Sequence, residues 1–328
     1  MPHPPKIVLE IGGNPMGEFP LACEMLYAAS KTGAEAVKFQ AYKVKDFIHK
    51  ENPAYNELSH EEMDFSKIRD LIYLSHQMSL KCGITVFDKE GIELAIRSNA
   101  DFIKLSSGDI NYLDLLYTAS SSPLPFVIST GASFQSEVDR ALSLSRKKPM
   151  AVLQCTSIYP TAPSEINLSV MDEWLNIGIP AGLSDHSEGI QASIIALQRG
   201  AVMVEKHFTI DRNLPGGDNS MSILPSEVKE LVEWENAKIA NPVESPYWGE
   251  AEKKPLPGER PDLIRRHLVS KNPLKKGIAP QIDDLSFFRV MAEDNSALIP
   301  ADIELARLIP KEDIQSEVVL HRNLFHCL

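Results

Sequence analysis

Short apolar runs recur along the first 240 positions, each closing on a polar cluster and each followed by a stretch with helical spacing. They cover residues 6–14, 34–42, 82–88, 102–109, 125–131, 151–159, 179–186 and 201–209. Between residues 19 and 32, Leu21, Met25, Leu26 and Ala29 fall on one helical face, and Gly33 closes the segment as a C-cap. Residues 43–59 read as a loop and residues 60–80 as one long amphipathic helix. SEVKELVEWENAK, begun by Pro225 and Ser226, reads as the last helix of the series. Eight strand–helix units in about 240 residues is the count of a (β/α)8 TIM barrel, an α/β fold. A doubly wound open sheet is the alternative. It would concentrate polar residues at one switch point and lacks the GxGxxG fingerprint after the first strand, whereas here all eight strand ends are polar.

The texture changes after Ala240. Residues 241–262 are rich in proline and charge and read as a linker, with five prolines that lend it reach. Residues 263–328 become short apolar segments between turn signals, as in a small β-rich domain acting as a lid or assembly module. The expected domains are thus a barrel over 1–240, a linker over 241–262 and a small tail over 263–328.

Composition narrows the function classes. A hydrophobic share of 43% with 24% charged residues is that of an ordinary globular protein. The net charge of −12 argues against nonspecific binding to nucleic acid or to an anionic membrane. Cys23, Cys82, Cys155 and Cys327 form no CxxC pair, so a reducing cytoplasm is the expected location. The N-terminus lacks a signal-peptide core, and no apolar run reaches membrane-spanning length.

Strand ends of a barrel converge on one mouth, so their polar residues form the candidate site. The strand pair around 179–209 supplies Ser184, Asp185 and His186 at one end and Glu205, Lys206 and His207 at the next. Two imidazoles brought side by side among acids and hydroxyls are suited to a divalent metal; taken singly, each reads as a satisfied structural histidine. Glu10, Asn14, Gln40, Thr85, Asp88, Asp109, Thr130 and Tyr159 join them from the other strands. Lys38 and Lys104 lie inside apolar strands, where an ammonium needs an acidic neighbour or an anionic ligand. Both readings stay open: an anion site, or a Lys–Glu pair closing the barrel centre, for instance with Glu10. SSG at 106–108 and STG at 129–131 add hydroxyls and backbone amides in the manner of a phosphate cradle.

The segments EIGGN, GAEAVKFQ, ITVFD, FIKLSSGD, VISTGA, CTSIYPT, GLSDHSEG, EKHFTIDR and PGGDNSMS, in that order, resemble the sialic acid (N-acetylneuraminate) synthase family. The tail, with RRHLVSKNPLKKG and LARLIPKEDIQSE, is similar to that family's antifreeze-like (SAF) domain. The resemblance implies a metal-dependent transferase that condenses phosphoenolpyruvate with an N-acetylated hexose aldehyde, giving a nonulosonic 2-keto acid for surface polysaccharide. It implies His186 and His207 as metal ligands, usually for Mn2+, with Mg2+ or Co2+ as alternatives. Lys38, Lys104, Ser107, Ser129, Ser157 and Ser184 match phosphoenolpyruvate positions. Glu10, Gln40, Tyr159 and Asp218 match positions that face the sugar, and Glu205 and Asp109 match carboxylates near the reacting centre. The family's domain-swapped homodimer implies that Arg289 reaches a partner's mouth. Departures from the family pattern are Pro15 after Asn14, Asp109 for the usual glutamate, and Asn219 at the end of the PGGDN segment. They lie on the sugar side or the lid. A noncatalytic binding or regulatory protein on the same barrel is the reading from a different class.

Overall fold

A computed structural model describes residues 3–237, 246–291, 296–300 and 307–326. Residues 241–245 of the expected linker, and part of the tail segments expected between 290 and 308, lie outside the described residues. Eight parallel strands close into one barrel: β1 (Ile7–Glu10), β2 (Ala36–Ala41), β3 (Lys81–Val86), β4 (Phe102–Leu105), β5 (Phe126–Ser129), β6 (Ala151–Cys155), β7 (Ala181–Asp185) and β8 (Val204–His207). The last strand returns to the first, with Glu10 opposite His207 in register. The (β/α)8 expectation holds. It was legible because strands covered on both faces read as nearly unbroken apolar runs.

Helices cover the outside: α1 (Phe19–Ala29), α2 (Val44–Phe47), α3 (Tyr55–Glu61), α4 (Phe65–Gln77), α5 (Lys89–Arg97) and α6 (Leu113–Ser121) in the first half. α7 (Gln135–Leu144), α8 (Leu168–Asn176), α9 (Gln191–Gln198) and α10 (Pro225–Ala237) complete the ring. The main core lies between strands and helices and includes Met25, Leu26, Val37, Ile72, Ile84, Ile128 and Trp174. A second cluster, with Val8, Phe102, Val127, Leu153 and Met203, fills the barrel itself. Gly83 permits this filling, because a Cβ there would stand 2.2 Å from the Phe102 ring.

Two local expectations are corrected. The loop expected over 43–59 contains α2 and most of α3. The single helix expected over 60–80 is two helices, broken at residues 62–64, where the Asp64 carboxylate accepts the Ser66 amide at 2.7 Å as an N-cap.

From residue 246 the chain runs back along its own barrel. The amides of Leu168 and Ser169 donate to the carbonyls of Tyr247 and Trp248, and Gln135 donates to Lys253. A short helix, α11 (Pro261–Ile264), leads into the antiparallel pair β9 (Arg266–Ser270) and β10 (Leu285–Arg289). The tail has a hydrophobic cluster of its own, built on Leu268, Leu274, Leu285, Leu298, Leu308, Ile314, Leu320 and Phe325. Among the described residues no helix is long and apolar enough to cross a membrane.

Candidate active site

The carboxyl ends of the strands surround a cavity of about 470 Å3. Glu10, Lys38, Gln40, Lys104, Ser107, Ser129, Ser157, Tyr159, Ser184, His186, Glu205, His207, Asp218 and Arg289 all line it. Of the candidates expected from the sequence, Asn14, Asp88, Asp109, Thr130, Asp185 and Lys206 do not line it.

The two lysines meet carboxylates. Lys38 pairs with Glu10 and donates to Thr85 Oγ1 at 2.6 Å, and its Nζ stands 3.8 Å from Glu205 Oε2. Lys104 pairs with Glu205 Oε1, which also accepts the Ser184 hydroxyl at 3.2 Å. Burial pushes the Glu205 carboxyl up, but the ammoniums of Lys104 and Lys38 outweigh it and hold the group well below the usual range. Glu205 is thus ionised at neutral pH. Gln40 Nε2 donates to Glu10 Oε1 at 2.9 Å. The Lys38–Glu10 pair is the one weighed as closing the barrel centre, yet both lysines still face the cavity.

His186 and His207 have ring centroids 5.5 Å apart. His186 Nδ1 lies 2.7 Å from the Thr156 carbonyl, which makes Nδ1 the protonated nitrogen. Its Nε2 is then a lone pair directed at the mouth, where the Tyr159 hydroxyl stands at 3.1 Å with the rings stacked. A backbone carbonyl fixing the far nitrogen is how a metal-binding imidazole is oriented. His207 Nδ1 is buried without a hydrogen bond, 3.3 Å from Asp218 Oδ2. Burial lowers the His207 pKa, with Asp218 opposing, so the ring is neutral as a ligand must be. The two imidazoles would supply two of a divalent cation's ligand positions. Among the described residues no group of three or more His, Cys, Asp or Glu side chains is arranged to hold one.

The phosphate cradle expected at STG is revised. The amide of Gly131 donates to Ser107 Oγ, and the amides of Ala132 and Ser157 donate to Glu259 Oε1 at 2.6 and 2.7 Å. Those donors are taken by the protein. The hydroxyls remain: Ser129 Oγ is buried, faces the cavity and has no hydrogen-bond partner. Gly131 is glycine because a Cβ would stand 2.1 Å from Ser157 Oγ.

Asp109 is also corrected. It is 0% exposed and bonded to Ser106 Oγ at 2.6 Å and to Arg266 Nε at 2.7 Å, so it anchors the tail and does not line the cavity. Asn14 is structural: its amide donates to Phe208 O and Ser222 Oγ and its Oδ1 accepts the Asp218 amide, which fixes the loop carrying Asp218. Asp88 caps α5 through the Gly91 amide, Thr130 donates to Leu153 O, and Asp185 pairs with Lys206. Arg289 lines the mouth, its Nη2 donating to Ser106 Oγ at 3.0 Å.

Sequence reasoning missed Glu61, at the end of α3. Its carboxylate sits where a Cβ on Gly13 would be, 2.1 Å from Oε2. Burial, with Asp218 and Glu57 adding to it, raises its pKa to about 7. Arg266 was missed too, although an arginine heading the apolar run HLVS obeys the same rule that singled out Lys38 and Lys104.

Fold and mouth together define a TIM-barrel enzyme. The chain belongs to the NeuB family, whose model matches residues 25–241. It is 32% identical to the N,N'-diacetyllegionaminic acid synthase of Legionella pneumophila over 90% of this chain and 87% of that one. It is 30% identical to the human N-acetylneuraminate-9-phosphate synthase, covering 70% of this chain and 69% of that protein. The solved spore coat polysaccharide biosynthesis protein SpsE of Bacillus subtilis matches with a TM-score of 0.87 and 28% identity, over 99% of this chain and 96% of that one. That likeness runs through the tail as well as the barrel. The named synthases among these relatives make sugar acids, and the chain is an enzyme of that class.

Proposed function

We propose that the protein condenses phosphoenolpyruvate with the open-chain aldehyde of an N-acetylated hexose, N-acetylmannosamine-like, releasing phosphate and a sialic-acid-like 2-keto acid for surface polysaccharide. The observation that carries this reading is one cavity in which two buried lysines, a row of serine hydroxyls and two imidazoles converge, with Ser129 Oγ left unpartnered. Lys104, Ser107, Ser129, Ser157 and Ser184 bind the phosphate and carboxylate, and Lys38 holds Glu10 and Glu205 in place beside them. Gln40, Tyr159 and Asp218 orient the sugar so that its aldehyde carbon meets C3 of phosphoenolpyruvate. As that bond forms, positive character grows at C2, and the carboxylate of Glu205 stabilises it. Water adds at C2 and gives up a proton that Glu205 relays to the alkoxide formed from the aldehyde oxygen; phosphate then leaves with C–O cleavage, taking the C2 hydroxyl proton as the ketone forms. His186 and His207 would hold a divalent cation, Mn2+ first, which when bound supplies Lewis-acid polarisation of the aldehyde oxygen. The tail serves as the antifreeze-like lid over the mouth.

The buried Lys38–Glu10 and Lys104–Glu205 pairs favour a second reading, a noncatalytic barrel that binds phosphorylated ligands. Phosphate release from phosphoenolpyruvate with Mn2+, across a panel of N-acetylated hexoses, separates the two. The synthase reading expects release with at least one sugar and none without sugar. Binding of phosphoenolpyruvate with no release across the panel establishes the second reading.

A further inference from the structure

We infer that the α3 end of the mouth admits the acceptor sugar only without a phosphate, and that Glu57 and Glu61 are the residues that exclude a sugar phosphate. The inference rests on the synthase reading and adds to it the charge state of the acceptor. Ala54, which caps α3, and Glu57, Leu58 and Glu61 all line the cavity. Their spacing of i, i+3, i+4 and i+7 is one helical face, so α3 lays that face along the mouth. The barrel holds the short helix in place. Tyr42 Oη donates to the Leu58 carbonyl at 3.3 Å, and the Glu62 carboxylate accepts the Val44 amide at 2.7 Å. Ala54 and Leu58 also pack on the cluster of Tyr42, Phe47 and Phe87. Gly13 leaves the space that the Glu61 carboxylate fills.

Carboxylates lead from the imidazoles to this helix. His207 Nδ1, buried without a hydrogen bond, stands 3.3 Å from Asp218 Oδ2. Asp218 and Glu57 are in turn the charges that act on Glu61, and both raise its pKa. No cation offsets them there. Among the described residues, the lysine and arginine side chains lining the cavity are Lys38, Lys104 and Arg289. Lys38 is paired with Glu10 and Lys104 with Glu205, while Arg289 donates to Ser106 Oγ and stands 3.9 Å from Asp109. The hydroxyl without a partner, Ser129 Oγ, belongs to a residue 2% exposed on the opposite side of the mouth. An anion therefore has a seat at Ser129 and none at α3. A sugar whose aldehyde lies at the imidazoles and whose far end reaches α3 meets three carboxylates. Hydroxyl and amide N–H groups donate to them, whereas a phosphate dianion brings only acceptors and like charge.

The first arm of the test needs no turnover. Binding of N-acetylmannosamine and of N-acetylmannosamine 6-phosphate to the full-length protein is measured by calorimetry at pH 8, where Glu61 is ionised. Saturating phosphoenolpyruvate occupies the hydroxyl wall, and Mn2+ is withheld. The free sugar is expected to bind about a hundredfold more tightly or better. Equal affinities, tighter binding of the 6-phosphate, or binding of neither overturns the inference whatever the protein catalyses. In the second arm, formation of the 2-keto acid with Mn2+ is followed across N-acetylated hexoses and their 6-phosphates. Each accepted free sugar should exceed its 6-phosphate in kcat/KM by about a hundredfold. A 6-phosphate turned over as well as the free sugar overturns the inference and leaves the synthase reading standing. No product from any sugar, with the binding difference intact, overturns the synthase reading and leaves the charge selection standing. In the third arm, Glu57→Gln/Glu61→Gln is expected to narrow the binding ratio by about tenfold. Glu57 is exposed at the rim, so Glu57→Gln alone serves where the double variant fails to fold, with a narrowing of about threefold. A ratio unchanged in these variants overturns the role given to the two residues.

Discussion

The wall of the mouth built from β4 to β7 and the wall built from β1, β2, α3 and the loop after β8 carry opposite chemistry. The first presents Lys104 and the hydroxyls of Ser107, Ser129, Ser157 and Ser184. The second presents Glu10, Gln40, Glu61 and Asp218. β8 forms the seam with Glu205 and His207, and Arg289 roofs it from the tail. On the proposed function this difference would sort the two substrates, with the hydroxyl donors on the first wall and the carboxylates on the second, where Lys38 is the one ammonium. The hydroxyl wall owes its donors to side chains, because Glu259 has claimed the neighbouring amides.

The comparison breaks first at Lys104. Lys104→Met strands Glu205 in a buried site, an effect of about 3–5 kcal/mol, and the kcat/KM for phosphoenolpyruvate should fall by roughly a thousandfold. Steady-state kinetics on the variant, with circular dichroism to confirm folding, decide this; an unchanged kcat/KM refutes the role.

Glu61 sharpens the acidic wall. Its pKa is raised from 4.5 to about 7, so the stability it contributes is complete below about pH 4.5 and is lost as pH rises through 7. Relative to wild type, Glu61→Gln should gain up to about 3 kcal/mol in unfolding free energy between pH 4.5 and pH 8. Denaturant titrations at the two pH values measure it, and parallel behaviour of the two proteins rules out the burial of that charge.

Arg289→Ala should act on the sugar and not on the anion. Loss of one charged donor at the roof is expected to lower kcat/KM for the sugar about 10- to 100-fold, roughly 1.5–3 kcal/mol. The KM for phosphoenolpyruvate should stay within about twofold. A change confined to phosphoenolpyruvate would move Arg289 to the hydroxyl wall.

The smallest effect is expected at Ser129. Its hydroxyl has no partner in the protein, so Ser129→Ala should leave the melting temperature unchanged or raise it slightly. The KM for phosphoenolpyruvate should rise about threefold to tenfold. A lowered melting temperature with unaltered KM would show that Ser129 serves the fold.

The barrel was legible because eight apolar runs each ended on polar residues, and chain order alone places those ends at one mouth. The runs were read too long where the chain turns: β4 stops at Leu105, and Ser107–Asp109 already forms a helical turn. That turn carries the Asp109 carboxylate out of the cavity and toward Arg266. α2 and α3 were read as loop because one or two turns give too few positions to show a helical period. Arg266, Lys253 and Glu259 were not legible as anchors. Their partners lie about 100 residues or more away in sequence, and no local pattern announces such a contact. Among the linker's prolines, Lys253 donates to Cys155 O and Glu259 accepts the Ala132 amide.

The central claim is a carbon–carbon condensation in which phosphate departs with the bridging oxygen of phosphoenolpyruvate. Phosphoenolpyruvate labelled with 18O at that bridging position, incubated with the enzyme, Mn2+ and an accepted N-acetylated hexose, tests it directly by mass spectrometry of the products. The account predicts that all the label appears in the released phosphate, with a 2-keto acid three carbons longer than the sugar. Unlabelled phosphate, with the 18O retained in pyruvate or in the product, would contradict it.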